Sequence, residues 1–271
     1  MKPAAFDYVR AESVDEALDV LRNEGSDARI IAGGQSLMPM LNMRLAKPRI
    51  LIDIMRLDEL WKIEVKQGKV TIGAAVRQAE LLEWLPLDRE LKLLSLALPW
   101  TGHAQTRSRG TICGSIAHAD PSAEMPLALL ALGGEIVLRS ARKRRRVVAR
   151  DFFLGVMATD RRDDELIEAV EFPTADNGRC AFREVARRHG DFAIVACAAV
   201  KTEHGVRLAV GGVSDMPVAH EFSSLESGAL DDALNAFAWD LNARDDFHAT
   251  ARYRRDLVRM IGRELIMEVT G

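Results

Sequence analysis

The chain has 271 residues, 48% of them apolar, and its 37 Lys and Arg against 40 Asp and Glu leave a formal charge of -3. That length supports one large domain or two ordinary ones with sizeable cores, and the near balance of charge leaves no overall field to draw in nucleic acid or an anionic membrane. No apolar run approaches the roughly 20 residues of a membrane span, and the opening MKPAAFDYVRAES lacks a signal-peptide core, so a cytoplasmic protein is expected.

Ser13 and Glu16 form a capping box, Ala17, Leu18 and Leu21 make an apolar stripe and Gly25 supplies a stop, which predicts a helix from about Val14 to Glu24. The strand ARIIA follows, then Gly33 and Gly34, then Leu37, Met40, Leu41 and Leu45 at helical spacing, with Pro39 acceptable only in the first turn. RILIDI and KVTIGAA read as strands and RQAELLEW as a helix, an alternation of helix and strand that suggests layered packing. A second mixed stretch runs from about Leu87 to Pro173, with a helix at EMPLALLAL, a glycine stop at Gly133 and Gly134, and a strand pair EIVLRS and RRVVA. FPTADNG ends it. Beyond lie CAFREVARR, FAIVACAAV and VRLAVGGV, read as a three-stranded antiparallel meander, and two helical patterns, ALDDALNAFAWDL and ARYRRDLVRMIGRELIMEV.

Two glycine-bearing stretches stand out. Gly33 and Gly34 sit between strand and helix, where the absence of a Cβ lets backbone amides approach a group the size of a phosphate. The second, RGTICGSIAHADPSAEMP, reads as a loop that crowds Gly110, Gly114 and Ser115 with His118, Asp120, Ser122 and Glu124 before a helix begins near Pro126. Neither matches G-x-G-x-x-G or the P-loop pattern, and a lone G-G-x-S turn more often serves only to turn the chain. Paired, the two could grip one long anionic molecule. The cysteines Cys113, Cys180 and Cys197 are three and scattered, without C-x-x-C, so disulfides, zinc and iron-sulfur ligation are not expected. ARKRRR at 141–146 lies between two predicted strands without interleaved aromatics, which favours a solvated hairpin tip or subunit contact over nucleic-acid binding.

Together, AGGQS at 32–36 and TICGS at 111–115 resemble the paired flavin-binding motifs of the FAD-carrying medium subunit of molybdenum hydroxylases, the family of carbon monoxide dehydrogenase and xanthine dehydrogenase. FDYVRAESVDEAL, HAQTRSRGT, HGDFAIV, GGVSDMP and YRRDLV are similar to that family's landmarks in the same order, so the likeness covers nearly the whole chain. It implies an α+β fold. A p-cresol methylhydroxylase-type FAD-binding domain at 1–175, built of two α+β subdomains at about 1–57 and 58–175, would precede a C-terminal domain at 176–271 with a three-stranded antiparallel sheet and helices.

On the same likeness, FAD would lie with its pyrophosphate on Ala32, Gly33, Gly34, Gln35, Ser36 and Leu37, beside Ile30 and Ile31. Thr111, Gly114 and Ser115 would approach the ribityl chain and flavin end, with polar contacts from His118 and Glu124, while Leu166 and Phe192 would lie near the isoalloxazine ring. Cys113, Ser115 and Glu124 stand where the family has glycine, asparagine and aspartate. The implied role is electron transfer. Electrons would come from 2Fe-2S clusters of a small subunit, supplied by a molybdopterin centre in a large one, and leave to an external acceptor, in a dimer of heterotrimers. No residue of this chain is assigned a catalytic or metal-binding role. A free-standing FAD-dependent oxidase or dehydrogenase of the same fold, or a scaffold that lost its flavin, are the alternatives.

Overall fold

A computed structural model describes residues 2–84, 86–174, 179–223 and 226–271. Strand β1 (Asp7–Arg10) leads into helix α1 (Val14–Glu24), whose start is fixed by the Ser13 side chain accepting the Glu16 amide at 3.1 Å. That helix buries Val14, Ala17, Leu18 and Leu21 and ends at Gly25, where φ is 53°. Strands β2 (Ala28–Ile31) and β3 (Ile50–Asp53), with helix α2 (Leu37–Asn42) between them, complete a parallel sheet in the order β1-β3-β2. Pro39 is the third residue of α2, in the first turn, where its missing N–H costs nothing.

The second sheet is antiparallel. It begins with β4 (Ile63–Lys66) and β5 (Lys69–Gly73), and helices α3 (Gln78–Glu83), α4 (Leu87–Glu90), α5 (Lys92–Ala97), α6 (Ala104–Arg107), α7 (Ile112–His118) and α8 (Glu124–Leu132) follow. Strands β6 (Glu135–Arg139) and β7 (Arg144–Val148), helix α9 (Ala149–Phe152) and the small hairpin of β8 (Phe153–Gly155) and β9 (Ala158–Thr159) precede β10 (Leu166–Pro173). The order β4-β5-β10-β6-β7 places β10 at the centre. Arg144, Arg145 and Arg146 lie in strand β7 rather than at its hairpin tip, bonded to Glu168, to Glu165 and Asp160, and to Glu171. The basic stretch is thus largely neutralised by its own acids.

The third sheet corrects the expected meander. Strands β11 (Cys180–Val185), β12 (Val195–Thr202) and β13 (Gly205–Gly211) are joined by a fourth, β14 (Val218–Phe222), in sequential antiparallel order. VAHEF is short and half polar because it forms the sheet's edge, so it lacks the apolar run that marked its neighbours. Helices α10 (Ser227–Asp240) and α11 (Ala251–Thr270) cover one face of this sheet, forming a cluster with Val195, Cys197, Leu208 and Val210. The opposite face, with Phe182, Ala196, Ala198 and Ala209, belongs to the same core as the first two sheets. Helix α8 is the link. All nine of its residues are buried, as a helix apolar all round must be, and it packs between β10 and the strands β12 and β13. Part of the expected boundary FPTADNG, residues 175–178, lies outside the described residues.

Candidate functional site

The two glycine segments meet. A Cβ built on Gly33 would lie 2.0 Å from the Arg109 carbonyl oxygen and 2.7 Å from the Gly110 Cα, so Gly33 is glycine because the second segment runs across it. Gly34 answers a different need, its φ of 70° being a left-handed conformation that a side chain strains. The second segment is anchored by the Gln78 amide donating to Gly110 O at 2.8 Å and the Ile112 amide to Val76 O at 3.3 Å.

Contrary to the expected loop, residues 112–118 form helix α7, with Thr111 as its N-cap. The Thr111 hydroxyl accepts the Gly114 amide at 3.0 Å, which spends that amide inside the protein. Small residues hid a helix that lacks an apolar stripe of ordinary length. Cys113 sits in its first turn, 3% exposed, with its thiol 3.6 Å from the Ile72 carbonyl, and burial pushes the thiol's pKa well up. An inert packing group results. Cys113→Ala should therefore keep the flavin content of the purified protein and cost roughly 1 kcal/mol of stability, read by thermal melting.

Around this crossing lies a cleft of about 810 Å³, in the range of about 300–1,000 Å³ usual for cofactor sites. It brings together every residue expected to bind: Ile30 through Leu37 from the first segment, Thr111, Gly114, Ser115 and His118 from the second, Glu124 from α8, Leu166 from β10, and Phe192 from the connection between β11 and β12. Among the described residues, the amides of Gly33, Gly34, Gln35 and Ser36 meet no protein acceptor, and Ser36 caps α2 without using its hydroxyl. Four consecutive unpaired donors beside a bare backbone suit a bound phosphate.

Polar groups from α7 and α8 line the cleft as well. Glu124, 5% exposed, accepts the Thr101 hydroxyl at 2.9 Å, and burial raises its pKa above the usual carboxylate range. His118 is half-buried, and desolvation lowers its pKa, with Asp120 opposing, which favours the neutral imidazole. Phe192 is 71% exposed at the rim, and Met157 stands at the rim too. Sequence reasoning missed several lining groups. Among the described residues the Oε1 of Gln78, 3% exposed, is unpartnered, while Arg29 and Arg161 bring positive charge beside Ile30 and Leu166. Arg29 lies in β2, one residue before the segment expected to bind, whereas Gln78 opens α3 and Arg161 sits in the β9–β10 loop, and these two reach the cleft only through the fold.

Comparison with known proteins fits this geometry. The family described as FAD binding domain in molybdopterin dehydrogenase matches residues 4–175, and the CO dehydrogenase flavoprotein C-terminal domain matches residues 180–269. The chain is 39% identical to the alpha subunit of the 6-hydroxypseudooxynicotine dehydrogenase complex of Paenarthrobacter nicotinovorans, covering 98% of this chain and 95% of that one. It is 37% identical to the glyceraldehyde dehydrogenase medium chain of Sulfolobus acidocaldarius, over 99% and 100% of the two. Among solved structures, a carbon monoxide dehydrogenase from Hydrogenophaga pseudoflava superposes with a TM-score of 0.93 at 30% identity, covering 100% of this chain and 99% of that chain. Quinoline 2-oxidoreductase from Pseudomonas putida 86 gives 0.91 at 32%, over 99% and 98%.

Proposed function

This chain belongs to the FAD-binding medium subunits of the multi-subunit molybdenum hydroxylases, and on that premise we propose how its cleft holds the cofactor. The FAD pyrophosphate lies on the amides of Gly33, Gly34, Gln35 and Ser36 and on the Ser36 hydroxyl. Ile30, Ile31, Ala32 and Leu37 flank it. The ribityl chain and flavin end run past Thr111, Gly114 and Ser115 toward His118 and Glu124, and Leu166 and Phe192 border the isoalloxazine ring. Because Gly114 uses its amide on Thr111, its contribution is lack of bulk rather than a hydrogen bond.

The observation that carries this reading is the crossing of the two glycine segments over one cleft whose four amides have no acceptor among the described residues. When bound, FAD accepts electrons singly or in pairs, and the protein supplies placement and solvent exclusion. Electrons arrive from 2Fe-2S clusters of a small subunit, themselves fed by the molybdopterin subunit, and leave to an external acceptor. The assembly is a cytoplasmic dimer of heterotrimers. Among the described residues, no helix is long and apolar enough to cross a membrane. The chain divides into an FAD-binding domain at 1–175, with subdomains at about 1–57 and 58–175, and a C-terminal domain at 176–271. The separate sheets support that division.

A free-standing oxidase is disfavoured because relatives matching nearly the full chain are named as subunits and medium chains. The purified complex should release FAD on denaturation, measured by chromatography of the supernatant. A complex that releases no FAD and takes none up would refute the assignment.

A further inference from the structure

Arg161 lines the cleft as a cation with no acid to balance it. Its Nη1 donates to the carbonyls of Arg162 and Glu165, each at 2.8 Å; among the described residues neither Nε nor Nη2 meets an acceptor, and no carboxylate is in ion-pair contact with it. Asp163 pairs with Arg29 and Glu165 with Arg145, while Asp164 acts on Arg161 without reaching it. The arginines of β7 differ. Arg144 and Arg146 pair with Glu168 and Glu171, and Arg145 with Glu165 and Asp160. Withdrawal from water, with the Arg29 charge adding, lowers the Arg161 pKa, yet a guanidinium stays protonated in a protein. Such a charge costs free energy unless a ligand supplies the counter-ion.

The β9–β10 loop that carries Arg161 is fixed on both sides. Glu165, 1% exposed, accepts Arg145 through both oxygens at 2.7 and 2.8 Å and the Arg162 amide at 2.9 Å, and Arg145 also donates to the Asp160 carbonyl at 2.6 Å. On the other side, the 3.5 Å pair of Asp163 with Arg29 ties the loop to β2, the strand that leads into Ala32 and Gly33. The loop thus stands beside the segment that delivers the four open amides. With Nη1 anchored on backbone, the open edge of the guanidinium is the parallel N–H pair of Nε and Nη2, whose spacing matches two oxygens of one phosphate.

We propose that Arg161 binds the FAD pyrophosphate, its Nε–Nη2 edge taking oxygens that the amides of Gly33 through Ser36 leave free. The inference rests on the FAD reading above and adds to it a charged donor that no motif marks. The division of labour is physical. Main-chain amides bring shape and partial charge, whereas Arg161 brings a full positive charge to the dinucleotide's negative one. A ligand without phosphate gains nothing from it, so Arg161 sets the preference of the cleft for FAD over riboflavin.

Binding to the flavin-stripped complex, wild type against Arg161→Gln, tests the proposal, with flavin fluorescence reading FAD and riboflavin and competition against FAD reading ADP. In the variant, Kd for FAD and for ADP should both rise by about 10- to 100-fold, while Kd for riboflavin stays within about twofold of wild type. Equal FAD affinity in the two proteins would overturn the proposal while leaving the FAD site standing. FAD weakened with ADP unaffected would overturn it too, by placing the contact off the pyrophosphate. So would a loss of riboflavin binding as large as that of FAD, which would make Arg161 a support of the fold. Should the Gln variant not assemble, Arg161→Lys serves in its place: an ammonium keeps the charge but has no paired edge, so FAD should weaken by about fivefold or more, and full affinity would overturn the proposal. Failure of the wild type to bind FAD would overturn the site assignment itself.

Discussion

Gly33→Val should empty the flavin site. The added Cβ would lie 2.0 Å from the Arg109 carbonyl oxygen and 2.6 Å from its carbon, and backbone cannot swing aside as a flexible side chain can. Relief requires the two segments to separate, and overpacking of this kind costs about 1–3 kcal/mol or more. Taken from the bound state, that is about fivefold to 150-fold or more in FAD affinity. Flavin content per complex, read from absorbance after desalting, should fall to a minor fraction. Gly34→Ala is the graded comparison. Its Cβ would lie 3.3 Å from the Met38 Cγ, a tight contact that this flexible side chain can relieve by a small shift, and 3.5 Å from Ile31, so the strain of φ 70° is the main addition, about 1 kcal/mol. Full flavin occupancy in Gly33→Val would mean that the crossing of the segments does not build the site.

Arg254→Ala should be the most damaging single change in the C-terminal region. Arg254 is 5% exposed and donates to Ile194 O at 2.7 Å, to Gly212 O, and to Asp246 Oδ2 at 2.5 Å. It thereby ties the start of α11 to the two β-strand ends that approach the cleft, and Gly212 in turn donates its amide to Pro121 O at 2.8 Å. Removing it orphans two carbonyls; bonds to a charged donor contribute about 1.5–3 kcal/mol each, and the half-exposed Asp246 adds little. A loss of about 3 kcal/mol and a drop in melting temperature on the order of 10 °C are expected. Calorimetry of the variant complex would check this, and an unchanged melting temperature would contradict it.

Much of this architecture was legible because local chemistry and tertiary packing agree. Ser13, Glu16 and Gly25 bound α1 in the structure where their capping chemistry places them, and EMPLALLAL stops at Gly133 in a left-handed turn. The site residues were legible for another reason. Glycines that permit close approach leave a mark in the sequence, whereas Gln78, at the start of α3, and Arg161, in the β9–β10 loop, reach the cleft only through the fold. In the landmark YRRDLV, Arg254 bridges backbone carbonyls, a role that no spacing in the sequence marks. Short edge strands such as β1, β4 and β14 escaped because mixed burial blurs their alternation, and α7 because its glycine and serine disfavour a helix that Thr111 nonetheless caps. Cys113, which stands where the family has glycine, turns into the core toward Ile72.

The most direct measurement is an experimental structure of the purified complex at a resolution that shows the flavin. The account predicts the pyrophosphate within hydrogen-bonding distance of the amides of Gly33 through Ser36, with the flavin end running past Ser115 toward Glu124 and Phe192. Density for FAD in another cavity, or a cleft filled by side chains of a neighbouring subunit, would contradict it.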